Sequence, residues 1–126
     1  MNYLEHVNVT VGKPDEIAQQ LINLFDWSIR WRGVAKNDGH TIHVGTKDHY
    51  IALYTHNDIM DVGSNSLTIS HLNHFAVVVD NLETVSDRAI KLGLKPFNAG
   101  EYNPGGKCFY LMIDTEIEIE VVCYDK

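Results

Sequence analysis

The chain has 126 residues, 44 % apolar and 21 % charged, a mix that suits one compact domain or two very small ones sharing a core. A net charge of −7, with no stripe of Lys and Arg, disfavours non-specific nucleic-acid binding, which rests on neutralising phosphates with basic side chains. No apolar run is long enough to cross a bilayer, and the opening residues MNYLEHVNVTV lead us to expect no secretory signal. Cys108 and Cys123 are too few for a disulfide framework, so a cytoplasmic protein with reduced thiols is expected.

In chain order, VNVTV reads as a strand rich in β-branched residues. A helix follows: Pro14 suits its first position, Asp15 and Glu16 favour its positive end, and Ile17, Leu21, Leu24 and Phe25 recur with helical spacing. Strand-like runs come next at Trp27–Arg32, Thr41–Gly45 and His49–Thr55. Residues 57–70 are polar and turn-rich and read as a linker. The series then starts again. FAVVV is a strand, and Asp80 is the expected helix cap, with Glu83 three residues on as in a capping box. Leu82, Val85, Ala89 and Leu92 form the apolar stripe, and Gly93 stops the helix. Strand-like runs close the chain at Lys95–Ala99, Lys107–Ile113 and Glu116–Tyr124.

The chain is thus written twice. Slid by 68 positions it lies on itself without a gap, with His6 over His74 and Ala52 over Glu120. The expected fold class is α+β: two tandem β-α-β-β-β modules, 1–56 and 71–126 with linker 57–70, in one domain. Their sheets would curl into an open mixed barrel with the helices outside.

Side chains alternate across a strand. Val7, Val9 and Val11 suit the helix side, which turns Leu4, His6, Asn8 and Thr10 the other way. On the last strand Ile117, Ile119 and Val121 share one side, and Glu116, Glu118, Glu120 and Val122 the other. Two imidazoles and a carboxylate can therefore face one cavity. That donor set suits Fe, Mn, Ni, Co or Zn, and three protein ligands leave positions open for a substrate that binds through two oxygens. The ungapped repeat selects Glu120 as the carboxylate; a gap of two would select Glu118.

The paired pattern, with LEHVNVTV and LNHFAVVVDNLE opening the halves and FYLMIDTEIEIEVV closing the second, resembles the vicinal-oxygen-chelate superfamily of glyoxalases, bleomycin resistance proteins and dioxygenases. The resemblance covers nearly the whole chain. It implies one divalent metal ion on His6, His74 and Glu120, and a homodimer. The fourth ligand of the family falls on Ala52, which argues against glyoxalase I proper and against thioester epimerases. The His–His–Glu pattern left is similar to that of fosfomycin-resistance transferases and extradiol dioxygenases. Against the first, Asn8 stands where a Thr is expected. For the second, Tyr110 lies ten residues before Glu120, but DTE replaces a Pro-x-Gly turn.

Tyr50, Ala52 and Tyr54 share a face of their strand, so Tyr50 and Tyr54, with Tyr110, are candidate substrate-binding residues; lining a core or interface is the alternative. Catalytic roles fall to Glu120 and to His43 as general base, because an unperturbed imidazole titrates near neutrality; a structural or surface His43 is the alternative. His40, His49, His56 and His71 read as surface residues. Trp27 and Trp31 alternate with Arg30 and Arg32; either set can face the cavity, and interface or core packing is the alternative for the tryptophans. Asn103–Pro104–Gly105–Gly106 is a turn, as a lid or a plain loop, and lacks the pattern of a phosphate-binding loop. The expected function is a metal-dependent lyase, isomerase, transferase or dioxygenase acting on a small oxygenated substrate. The alternative is a non-catalytic protein that sequesters an antibiotic-like molecule.

Overall fold

The computed structural model describes residues 2–61, 67, 69, 71–103, 105–115 and 117–125. The chain forms two compact units, residues 1–61 and 62–126. The first contains β1 (His6–Thr10), α1 (Pro14–Phe25), β2 (Ser28–Val34), β3 (His40–Gly45) and β4 (Tyr50–Thr55), with a 3-10 turn at Lys36–Asp38. The second contains β5 (Phe75–Val78), α2 (Leu82–Lys91), β6 (Phe97–Tyr102), β7 (Gly106–Ile113) and β8 (Ile117–Tyr124). Two β-α-β-β-β modules are therefore present, as the repeat implies. Part of the expected linker, 62–66, 68 and 70, lies outside the described residues, as do Pro104 and Glu116.

Each unit is a four-stranded mixed sheet with the same order, β1-β4-β3-β2 and β5-β8-β7-β6. The opening and closing strands pair in parallel and the others are antiparallel. In unit 1, Ile17, Ala18, Leu21 and Leu24 of α1 are fully buried, as are Ile42, Val44 and Leu53 of β3 and β4. In unit 2, Val85 and Ala89 of α2 are buried, as are Leu111, Ile113, Ile119 and Val121 of β7 and β8. Each helix thus covers one set of alternate strand residues, and the chemistry-bearing set lies on the other face.

Several boundaries differ from the sequence reading. The second strands run Ser28–Val34 and Phe97–Tyr102. Both carry a bulge, between Ile29 and Trp31 and between Phe97 and Gly100, and bulges shift strand patterns out of simple alternation. Asn98 within the second bulge takes a left-handed backbone. His74 immediately precedes β5 instead of lying in it. The repeat also loses its register inside the sheets. Ala52 faces His43, whereas Glu120 faces Tyr110, because the β7–β8 turn is one residue shorter than the β3–β4 turn. Left-handed Asp114 and Thr115 tighten that turn.

Pro14 opens α1 as expected, and Gly93, at φ +80, follows α2. The cap of α2 is a correction: Asn81, not Asp80, accepts the backbone N–H of Thr84, at 3.1 Å. Replacing Asn81 with Ala is expected to cost about 1 kcal/mol of stability, while Asp80→Ala should change it by less than about 0.5 kcal/mol. Urea denaturation of the two variants measures both.

Candidate functional site

His6 begins β1, and its neighbour Glu5 accepts a hydrogen bond from ring Nδ1 at 2.9 Å. His74 repeats the arrangement: the Oδ1 of its neighbour Asn73 lies 2.7 Å from Nδ1. The residue before each duplicated histidine thus places a side-chain oxygen against Nδ1. Such tethers fix the tautomer and orientation of a metal-binding imidazole.

In unit 2, Nε2 of His74 lies 3.2 Å from Oε1 of Glu120. Glu120 is only 5 % exposed, and its other oxygen, Oε2, accepts the hydroxyl of Tyr102. Tyr110 meets His74 edge-on at 5.3 Å, and Phe97 lies against Tyr110. Burial and the Glu120 charge push the Tyr110 hydroxyl above its ordinary value, and the same two causes raise the Cys108 thiol. The bond to Glu120 raises the Tyr102 hydroxyl most of all. Of the two candidate carboxylates, Glu120 rather than Glu118 is the one that meets a histidine.

Unit 1 carries an aromatic stack at the corresponding place. Tyr50 lies between His6, at 4.7 Å, and His43, at 4.5 Å, and Trp31 packs on His43 at 5.2 Å. The Arg30 guanidinium sits 4.2 Å over the Tyr50 ring, within cation–π range. The β2 bulge lets Arg30 and Trp31, neighbours in sequence, both reach this stack, so the expected choice between tryptophans and arginines does not arise. Arg32 instead pairs with Asp15 of α1 at 2.8 Å, and Trp27 packs on Phe25. The Tyr50 hydroxyl donates to Glu5 at 3.1 Å. Bonds from His6 and then Tyr50 hold the Glu5 carboxyl below its usual value, and burial raises the Tyr50 hydroxyl. Burial, then the nearby His6 and Arg30, lower His43.

The remaining candidates are more dispersed. Tyr54 lies further along β4 and donates to the Lys36 carbonyl at 2.9 Å, beside a shallow cleft lined also by Thr10, Asn37 and His56. His56 is not a plain surface residue. Its Nε2 donates to the Asn37 carbonyl at 2.9 Å, and its Nδ1 accepts the Asp58 N–H at 3.0 Å. His49 and His71 are exposed, and His40 is half-buried. Tyr102 was not singled out by sequence. It ends a strand whose bulge hides its facing, and only the pairing of Tyr102 with Gly106 reveals it. Among the described residues, no three His, Cys, Asp or Glu side chains form a cage, and no disulfide forms.

With these elements placed, comparison with solved structures is decisive for the architecture. A glyoxalase/bleomycin resistance protein/dioxygenase domain from Frankia sp. EAN1pec matches with TM-score 0.82 and 20 % identity, over 99 % of both chains. This chain has that fold. The fosfomycin resistance protein FosX from Listeria monocytogenes shares the fold in its complex with Mn(II) and sulfate, at TM-score 0.70 and 14 % identity, over 99 % of this chain and 94 % of that one. A mutant of FosX in complex with Mn(II) and 1S,2S-dihydroxypropylphosphonic acid matches at the same TM-score and identity, over 96 % and 91 %. No family model matches the chain, and no curated protein is significantly similar to it in sequence. No helix among the described residues is long and apolar enough to cross a membrane.

The lowered His43 has a consequence for stability. Its unfolded ring takes up a proton near 6.5 while the folded ring resists it until lower pH. Acidification through that window therefore favours the unfolded chain. His43→Leu should lose less thermal stability than the wild type between pH 7.5 and pH 5.5, as read by melting curves; parallel losses would contradict the assignment.

Proposed function

We propose that this protein is a divalent-metal-dependent enzyme acting on a small oxygenated molecule, with His6, His74 and Glu120 as metal ligands and Fe, Mn, Ni, Co or Zn as the cation. The observation that carries the reading is the setting of His74. Its Nδ1 is tied to Asn73, and its Nε2 points at a buried carboxylate. An imidazole nitrogen and a carboxylate oxygen this close share a proton or a metal cation, and that donor set suits a transition metal. The same tether on His6, supplied by Glu5, supports its assignment as the second imidazole. FosX, of the same fold, was crystallised with Mn(II).

Bound there, the cation would stabilise oxyanion charge on a substrate held through two neighbouring oxygens. The chain's own residues supply the rest. Glu5 and Asn73 orient the rings, and Tyr50 and Tyr110 present hydroxyls and aromatic edges for substrate binding. Tyr54, whose hydroxyl is engaged with Lys36, is a more distant contributor. Burial lowers His43, which favours its neutral form, and a neutral imidazole can accept a proton as general base. A lyase, isomerase or transferase outcome goes with a redox-silent metal, and a dioxygenase outcome with Fe(II). Ala52 in place of a fourth ligand argues against glyoxalase I proper. Exposed Trp31, Val34, Val78 and Tyr124 support a homodimer, which we place in the cytoplasm.

The stack of Arg30, Tyr50, His43 and Trp31 favours one second reading, a protein that sequesters a planar ligand without metal. Calorimetric titration of untagged protein with Mn(II) separates the two. Stoichiometric binding in the wild type, lost in His6→Ala, His74→Ala and Glu120→Ala, is the expected result. Full binding in the His74 variant would refute the ligand set, and no binding in any form would favour sequestration.

A further inference from the structure

Glu120 has two oxygens, and the fold gives them different partners. Oε1 faces Nε2 of His74, while Oε2 accepts the hydroxyl of Tyr102. Tyr102 is itself held in place. It ends β6 opposite Gly106 of β7, and its ring stacks on Tyr124 of β8 at 6.2 Å and 30°. Gly106 makes room for that stack, because a Cβ there would come within 2.8 Å of the Tyr124 ring. A glycine, a stacked tyrosine and a donated hydroxyl thus act in series on one carboxylate oxygen.

From this geometry we infer that Tyr102 is a positioning residue that limits Glu120 to a single oxygen for metal binding. The inference rests on the metal reading above. A carboxylate can bind a cation through one oxygen or two, and a second oxygen takes a position that a substrate would otherwise use. With Oε2 committed to Tyr102, Oε1 alone is offered on the side of His74. One coordination position is thereby kept for the second oxygen of a chelating substrate. Tyr102 therefore favours ligands that bind through two oxygens over those that bind through one, and it does so without touching the ion.

The test uses the full chain loaded with Mn(II), and water-proton relaxation counts the exchangeable waters on the ion. Tyr102→Phe removes the hydroxyl and keeps the ring, so Glu120 can close on the metal with both oxygens. The variant should lose about one exchangeable water, with a changed Mn(II) electron-spin-resonance spectrum. Tyr102 is 41 % exposed at a strand end, so the substitution leaves the core intact. Tyr124→Leu, which releases Tyr102 from its stack and spares the hydroxyl, should move the count in the same direction by less. A merely structural role would lower the melting temperature and leave the water count unmoved. An unchanged count in both variants would overturn the inference while the metal reading stood. A wild type that takes up no Mn(II) would overturn both.

Discussion

A four-stranded sheet with one helix against it can bury only one of its two sets of alternating side chains. In both units the helix takes the aliphatic set, Ile42, Val44 and Leu53 in one and Leu111, Ile119 and Val121 in the other. That assignment leaves His6, His43, Ala52 and Tyr50 on the opposite face of the first sheet, and Tyr110 and Glu120 on the opposite face of the second. A slip of one residue in either closing strand would exchange the two sets, and in β8 it would bring the carboxylate under the helix. The chemistry of the site is thus pinned by the same apolar packing that stabilises each module.

The two modules use the shared scaffold differently. Both tether the Nδ1 of their opening histidine with the side chain just before it, Glu5 in one and Asn73 in the other. Both place a bulge in the second strand and an aromatic pair across the next ladder, Trp31 with His43 and Phe97 with Tyr110. They part at the position of Ala52 and Glu120. The second module keeps a carboxylate, Glu120, held by a tyrosine. The first has Ala52, 1 % exposed, with the Tyr50–His43 stack and Arg30 beside it. A duplicated frame thus carries a buried carboxylate in one half and an aromatic stack with a guanidinium in the other.

Much of this was legible in the sequence because it rests on period-two and period-3.6 patterns. The helix stripe of Ile17, Leu21 and Leu24, Pro14 at the helix start, and the inward set of the closing strand all follow from them. The correspondence of His6 with His74, each at the opening of its module, follows from the repeat. What was missed depends on events that break a period. The bulge after Ile29 brings Arg30 and Trp31 to one stack, which strict alternation forbids. The shortened β7–β8 turn sets Tyr110, not Leu111, opposite Glu120. The bulge after Phe97 concealed the facing of Tyr102, and Asn81 rather than Asp80 caps α2, a one-residue difference that composition does not resolve.

We propose that two tethered imidazoles and one carboxylate hold a single metal ion. The decisive experiment is a crystal structure of protein grown with Mn(II), with anomalous scattering measured at the manganese edge. One anomalous peak within bonding distance of Nε2 of His6, Nε2 of His74 and one oxygen of Glu120 is the expected result. A peak elsewhere, or none with the three side chains ordered, would refute the ligand set.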